Sequence, residues 1–353
     1  MAETRILSNN ELTRKRWAKE LYSILMPATE INDLVGTGPY AIIEQRNDLT
    51  KGAGDQITFG ITLPLSGQGV VGNDKIEGNE EKLSFRNFKT TIEELNHAVE
   101  TGGKMEEQRI PYDLMQIAKS GLQYWWADIL SDAAFAHLCG DTTFLVAGKT
   151  FAQDPTDPDD EHVMYAGAAT SDATVTSSDI MTLSLLDAMK QKAELPTADS
   201  CYKLRPIMIG GKKKFRVILH NYCFDQLRRD TNVGQWGDML RAAQKLNMPQ
   251  VEIEYNGMLI SKSERIRHMV ADSTDSSAGT FRNIMLGAQA AVMAWGGAGD
   301  SKGTTMAFHP YTADADRFMN VRGGGIWGIE KTKFNSRDYG IIVGSTWGQK
   351  LDD

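Results

Sequence analysis

This chain is short of cysteine, of long apolar runs and of positive charge, and each shortage excludes something. Three of its 353 residues are cysteine: Cys139, Cys201 and Cys223. An odd, widely spaced set does not make a disulfide framework; it reads as reduced thiols of a cytosolic product, packed as small hydrophobes. The longest apolar stretches, such as AAVMAW at 290–295, fall far short of the roughly 20 residues that a bilayer-spanning helix needs. No membrane partner is therefore expected. The opening MAETRILSNNELTRKRW holds no apolar signal core, and nothing in it indicates export. A net charge of −8 argues against a protein that grips nucleic acid tightly, because phosphate binding needs a cationic surface. It leaves room for weak, non-specific contact with DNA.

Catalytic motifs are missing too. No H-E-x-x-H or paired C-x-x-C occurs. GQGVVG (Gly67, Gly69, Gly72) and GGGIWG (Gly323, Gly325, Gly328) match the dinucleotide fingerprint, but that fingerprint works only where a strand turns into a helix. The first is followed by a polar loop and the second by a strand pattern. Lys302 in GGAGDSKGTT lacks the residue order of a phosphate loop. His220 and Cys223 have the spacing of half a zinc site with no second pair, and read better as a packed helix start. The acidic run Asp154, Asp157, Asp159, Asp160, Glu161 lacks the glycine and terminal glutamate of a calcium loop and reads as solvated. Asp314 and Asp316 form a D-x-D without a nucleotide site around it. No catalytic, cofactor-binding or metal residues are assigned, and no enzyme is expected.

What is present is an ordinary globular composition, 41% apolar and 24% charged, enough for one large domain or about two to three smaller ones. Ser8 and Glu11 have capping-box spacing, and Trp17, Leu21, Ile24 and Leu25 recur on one face, which predicts a helix over 8–25 with Arg14, Lys15 and Lys19 on its wet side. From Pro27 to Gly54 no period survives, so an extended arm is expected. In DQITFGITLPLSGQGVVGNDKIEGNEEKLSF (55–85), Ile57, Phe59, Ile61 and Leu63 alternate with polar or small residues, as in a half-buried strand. The return begins with Leu83 and Phe85. Between them Pro64, Leu65, Val70 and Val71 lie in a long polar stretch punctuated by glycine, and loops of such length are usually functional. An eight-residue strand reaches about 26 Å, and an isolated two-stranded ribbon is marginal in water. It needs a surface: its own body, a ligand pocket or another copy of the chain.

The strongest helix signal is RIPYDLMQIAKSGLQYWWADILSDAAFAHLCG (109–140), where Leu114, Ile117, Ala118, Leu122, Trp125, Ile129, Ala133 and Leu138 repeat at three and four. Pro111 suits its first turn and Gly140 its C-terminal cap. About 28 residues make a rod of about 42 Å, a spine for the subunit. A second helix is predicted from Asp179 to before Pro196. YKLRPIMIGGKKKFRVILHNYCFDQLRRD then gives strand, Gly-Gly turn, basic tip, strand and helix, and GDMLRAAQKL, VEIEYNGMLI and NIMLGAQAAVMAW continue a mixed α/β texture. The closing GGGIWGIEKTKFNSRDYGIIVGSTW reads as two strands with a turn near Asn335. If these pack beside the spine, the stretch 206–299 is inserted into a discontinuous first domain.

Four ordered blocks carry a family likeness: DQITFGITLPLSGQGVVGNDKIEGNEEKL, HAVETGGKMEEQRIPYDL, YWWADIL and RGGGIWGIEKTKFNSRDYGIIV. Together they resemble the major capsid proteins of N4-type tailed phages, from about residue 50 to the C-terminus. The resemblance implies an α+β fold of the Hong Kong 97 type: an N-terminal arm (1–50), an extended loop (51–93), a peripheral domain (94–205 and 300–353) with its spine helix at 109–139, and an axial domain (206–299). It also implies pentamers and hexamers in an icosahedral head, made in the host bacterial cytoplasm and located in the virion, with scaffold, portal and decoration proteins as partners and packaged double-stranded DNA inside. On this reading Ile57, Phe59, Ile61, Leu63, Pro64, Leu65, Val70, Val71, Leu83 and Phe85 are covered by a neighbouring subunit, and Leu114, Ile117, Leu122, Trp125 and Ile129 form the buried face of the spine. The lysine–asparagine crosslink of some relatives has no constellation here to which it can be assigned. Alternatives are a tail-tube or decoration subunit and, from another class, a nucleotide- or metal-dependent enzyme.

Overall fold

The computed structural model describes residues 30–350 apart from 39, 51–53, 63–68, 73–74, 79, 81, 84, 104, 106–107, 109–113, 196–202, 230–252, 273–277, 298–304 and 315–317. The strands, in chain order, are β1 (Val35–Gly36), β2 (Ile43–Leu49), β3 (Gln56–Thr62), β4 (Phe85–Thr91), β5 (Glu93–Gly103), β6 (Val163–Tyr165), β7 (Ile207–Ile209), β8 (Lys212–His220) and β9 (Ile253–Tyr255). There follow β10 (Met258–Ser263), β11 (His268–Ala271), β12 (Gly279–Leu286), β13 (Ala291–Gly296), β14 (Met306–Ala313), β15 (Phe318–Lys331), β16 (Lys333–Phe334), β17 (Arg337–Asp338) and β18 (Ile341–Gly348). The α-helices among the described residues are α1 (Leu114–Cys139), α2 (Leu183–Glu194) and α3 (Asn221–Arg229). The expected helix at 8–25, GDMLRAAQKL, Pro111, Cys201 and Lys302 lie outside the described residues.

A six-stranded sheet is hung on β15, whose residues 318–325 pair with β14 on one edge while residues 318–327 pair with β5 on the other. Beyond β14, the same edge takes β13 at 327–331, and β13 in turn pairs in parallel with β2. The eight-stranded sheet runs β6-β18-β12-β8-β10-β9, with β11 on β12 and β7 on β8. One continuous apolar core runs through both sheets, holding Trp126, Leu130, Ile218, Met285, Trp295, Trp327 and Val343. The turns follow the sequence: Gly210 and Gly211 take positive φ between β7 and β8, and Asn335 and Ser336 do so between β16 and β17.

Three expectations change here. Residues 43–49 do not trail as an arm: β2 is an interior strand of the six-stranded sheet, with Ile42 and Ile43 buried. Its parallel partner β13 is about 250 residues away in sequence, beyond what local periodicity can report. The sheets do not divide at 206 and 299 either, since β12 and β13 go to different sheets and the C-terminal β18 pairs with β12 along its whole length. On α1, the buried stripe runs Ala118, Leu122, Trp126, Leu130, Ala133, Ala134 and Leu138. Leu122 is in place, Leu114, Trp125 and Ile129 are half-buried, and Ile117 is exposed. Adjacent apolar pairs (Trp125–Trp126, Ile129–Leu130) make the phase ambiguous, and the sheet chose the second member of each.

Candidate assembly interface

β3 and β4 form the expected antiparallel ribbon, in register from Gln56 opposite Thr91 to Thr62 opposite Phe85. Alternation along β4 turns Phe88 and Thr90 inward and Phe85 outward. Phe88 packs with Val292 and Phe334 under a lid of Phe59 and Tyr339. The Phe59 and Phe88 rings stand 6.3 Å apart, Phe334 meets Phe88 edge-on, and the Arg46 guanidinium lies 5.6 Å over the Phe59 ring. Polar bonds complete the clamp: the Ile92 amide donates to the Asp55 carbonyl at 3.0 Å, and the Thr91 hydroxyl to the Ala152 carbonyl at 2.9 Å. The Thr90 hydroxyl donates to Glu330 Oε2 at 3.3 Å. Burial pushes the Glu330 carboxyl up to about 7, against the opposing pull of that hydrogen bond and of the Lys333 charge.

The ribbon therefore divides into two regions. Ile57 is buried and Phe59 half-buried against the chain's own body, which corrects the expectation that both await a neighbour. The body supplies their cover because β4 continues through Ile92 into β5, fixing the ribbon base beside β15. Away from the base the apolar residues are open to solvent: Val71 is 84% exposed, Phe85 64% and Leu83 60%, and Ile76, which was not singled out from the sequence, 69%. Val70 is half-buried, Ile61 lies in β3 with its side chain outside the described set, and Leu63, Pro64 and Leu65 lie outside the described residues.

The glycines of GGGIWG serve packing. Gly323 lies where α1 crosses β15, and a Cβ there would stand 3.0 Å from the Trp126 indole Nε1. At Gly328 an added Cβ would run into the Thr91 backbone carbonyl at the ribbon base. Gly69 and Gly72 take positive φ in the ribbon loop.

The acidic loop 154–161 is solvated in part: Asp154, Asp157 and Asp160 are exposed, while Asp157 and Asp159 also bond to the body. Asp157 accepts from Arg282 Nη1 at 2.9 Å, and Asp172 from Arg282 Nη2 at 2.6 Å and from the Ser345 hydroxyl at 2.6 Å. Asp159 pairs with His162 Nδ1 at 2.9 Å and accepts the Asp338 amide at 2.6 Å. Burial pushes the Asp159 carboxyl up, but the bonds from His162 and Asp338 outweigh it and hold it well below the usual carboxylate range. The signal for this network was a lone charge inside an apolar strand, Arg282 in GTFRNIML. His220 caps a packed helix start, as read: it stacks on Phe281 at 3.9 Å, with Cys223 buried one helical turn on. No group of three metal-binding side chains occurs among the described residues.

The body is two sheets and a long helix, carrying a ribbon clamped at its base and apolar beyond it; its α+β fold is the Hong Kong 97 type of tailed-phage capsids. It superposes on the capsid of Ralstonia phage GP4 with a TM-score of 0.81 at 24% identity, over 100% of both chains. The cyanophage Pam1 capsid follows at 0.71 and 18% identity over 92% of this chain and 93% of that one, and the head of Helicobacter pylori bacteriophage KHP40 at 0.67 and 14% over 91% of each. The chain belongs to the phage capsid protein family, whose model matches residues 5–348. The major capsid protein of Pseudomonas phage KPP25 is 30% identical over 237 residues, 61% of this chain and 61% of that protein, less than two thirds of its length.

Proposed function

We propose that this chain is the major capsid protein of a tailed double-stranded DNA phage and builds the icosahedral head from pentamers and hexamers. The observation that carries the reading is the division of the ribbon. The base is held by Phe88, Phe334 and Glu330 of the same chain, while Val71, Ile76, Leu83 and Phe85 stay exposed. Soluble monomers rarely present apolar surface on a protruding element unless something covers it. Covering two or three such side chains on a neighbour contributes about 4–8 kcal/mol gross before ordering costs. Repeated over every contact of a closed shell, that is enough for cooperative assembly. The role is structural, as the family implies.

In this reading residues 1–50 act as the arm, although β2 within them is also a sheet strand. Residues 51–93 are the extended loop, 94–205 with 300–353 the peripheral part around α1, and 206–299 the axial part. Ile61, Leu63, Pro64, Leu65, Val70, Val71, Leu83 and Phe85 face the neighbouring subunit. Scaffold, portal and decoration proteins are partners of the growing shell, synthesis is in the host cytoplasm, and the product resides in the virion. A chain of net charge −8 lines a head that contacts packaged DNA only weakly.

Electron microscopy of the expressed chain, with and without residues 64–81, tests the proposal. Closed shells from the full chain and none of normal size from the deletion are expected. Tubes, or a chain that never assembles, would instead favour the tail-tube or decoration alternatives, and normal shells from the deletion would remove the ribbon from the mechanism.

A further inference from the structure

We propose that Asn256 is a self-modification site, at which the Gly257 amide closes on the Asn256 side chain, and that Lys190 and Asp187 hold this reaction in check. The sequence contains one Asn-Gly pair, and it forms the two-residue turn between β9 and β10, where Tyr255 stands opposite Met258. Asn256 and Gly257 both take positive φ, 45° and 74°, as a type I′ hairpin turn requires. Asn256 is exposed, so water reaches it.

An asparagine followed by glycine suits this chemistry because glycine has no Cβ to shield the attacking nitrogen. The Gly257 nitrogen bonds to Asn256 Cγ while its proton passes, through water, to the departing group. The Cγ–Nδ2 bond breaks, ammonia leaves and a five-membered succinimide remains. Water then opens the ring at either carbonyl and leaves an aspartyl or an isoaspartyl residue at position 256. Nothing is oxidised or reduced, and water is the only other reactant.

The turn is clamped against α2 through the same side chain. Lys190 Nζ donates to Asn256 Oδ1 at 2.9 Å, and Asn256 Nδ2 donates to Asp187 Oδ1 at 3.0 Å. Asp187 and Lys190 stand on one face of α2, three residues apart. Each is fixed in turn: Asp187 Oδ2 accepts from the Tyr255 hydroxyl at 2.8 Å, and Lys190 Nζ lies 3.8 Å from Glu194 Oε1. Both polar ends of the Asn256 amide are thus committed to the helix. Ring closure needs Cγ to swing over the Gly257 nitrogen, and that motion breaks both bonds first, which adds to the barrier. The reaction then removes its own brake, because the product has no Nδ2 donor and sets a carboxylate against Asp187. The turn is released from α2, and the loss of ammonia makes the release permanent.

Incubation of the full-length chain at neutral pH and body temperature, followed by peptide mass spectrometry and enzymatic methylation of isoaspartate, tests this. In the parent, the peptide holding position 256 is expected to gain one mass unit slowly. In Asp187→Asn and in Lys190→Met, which keep the side-chain volume, the gain is expected about tenfold faster. Asn335, in the hairpin of β16 and β17, is the internal control and is expected to convert at one rate in all three chains. A rise at Asn335 in step with position 256 would assign the acceleration to unfolding and overturn the clamp. Parent rates in both variants, no conversion in either, or a parent as fast as a synthetic peptide of residues 253–262 would overturn the proposal as well. Asn256→Asp is expected to lower the melting temperature by a few degrees, and an unchanged melt would show that modification releases nothing. None of these readouts depends on shell formation, so they separate from the test of the proposed function.

Discussion

Lys331 Nζ lies 3.0 Å from Asp338 Oδ2, and both side chains are fully withdrawn from solvent. The pair ties the end of β15 to the hairpin that follows it, and Asp159 reaches the same aspartate through its backbone amide. Burial pulls the Lys331 ammonium down, and the Asp338 carboxylate opposes it. A charge so placed is tolerated only while its partner stays. Lys331→Met alone is expected to cost about 3–5 kcal/mol in urea unfolding, and Lys331→Met with Asp338→Leu markedly less. Additive losses from the two changes would show that the pair does not act as a unit.

Phe85 and Phe88 sit on one strand, 64% and 6% exposed. Phe88→Ala is expected to destabilise by about 3–5 kcal/mol and to speed amide exchange at the ribbon base. Phe85→Ala should leave the melting curve within about 0.5 kcal/mol of the parent. In an assembly assay followed by light scattering the order reverses in meaning: Phe85→Asp keeps the fold and slows or stops shell formation.

Stability against pH carries two opposed slopes. Glu330, raised from 4.5 to about 7, contributes stability that is complete below its unfolded value and lost as pH rises through 7. Burial, with the charges of Lys331 and His268 adding respectively, lowers His137 to about 3 and His220 to about 4 from 6.5. Their contribution is complete above 6.5 and lost as pH falls toward those folded values. Between 4.5 and 6.5 the trends partly cancel. Glu330→Gln is expected to gain about 1–3 kcal/mol at pH 8 and to lose stability more steeply than the parent on acidification. Urea midpoints at pH 5, 6.5 and 8 check both signs.

Glycine substitutions on β15 should rank by what they strike. At Gly323 an alanine meets the edge of the buried Trp126 indole, at an expected cost of about 1 kcal/mol, whereas Gly323→Val costs about 1–3. At Gly328 the obstacle is the Thr91 backbone, so Gly328→Ala is expected to cost more than Gly323→Ala and to loosen the ribbon. Thermal melts of the three variants give the order directly.

Much of the architecture was legible in the residues. The alternation of the ribbon strands, α1, the Gly-Gly and Asn-Ser turns and the helix start at His220 are all local patterns, which periodicity and turn chemistry report. The glycines of GGGIWG looked like a nucleotide motif because sequence marks only that a side chain is absent. That an indole and a carbonyl occupy the space is a fact about two other segments.

By itself, the sequence determined that this chain has a long amphipathic helix, a ribbon with apolar residues at both ends of a polar loop, and no recognisable catalytic centre. The tertiary structure alone decided that Ile57 and Phe59 are sheltered at home while Leu83 and Phe85 are not, that Trp126 and not Trp125 faces the core, and that β2 joins β13. Each of those outcomes depends on which distant strand lies alongside, and the free energy of such pairings belongs to the assembled packing, with no local pattern to announce it.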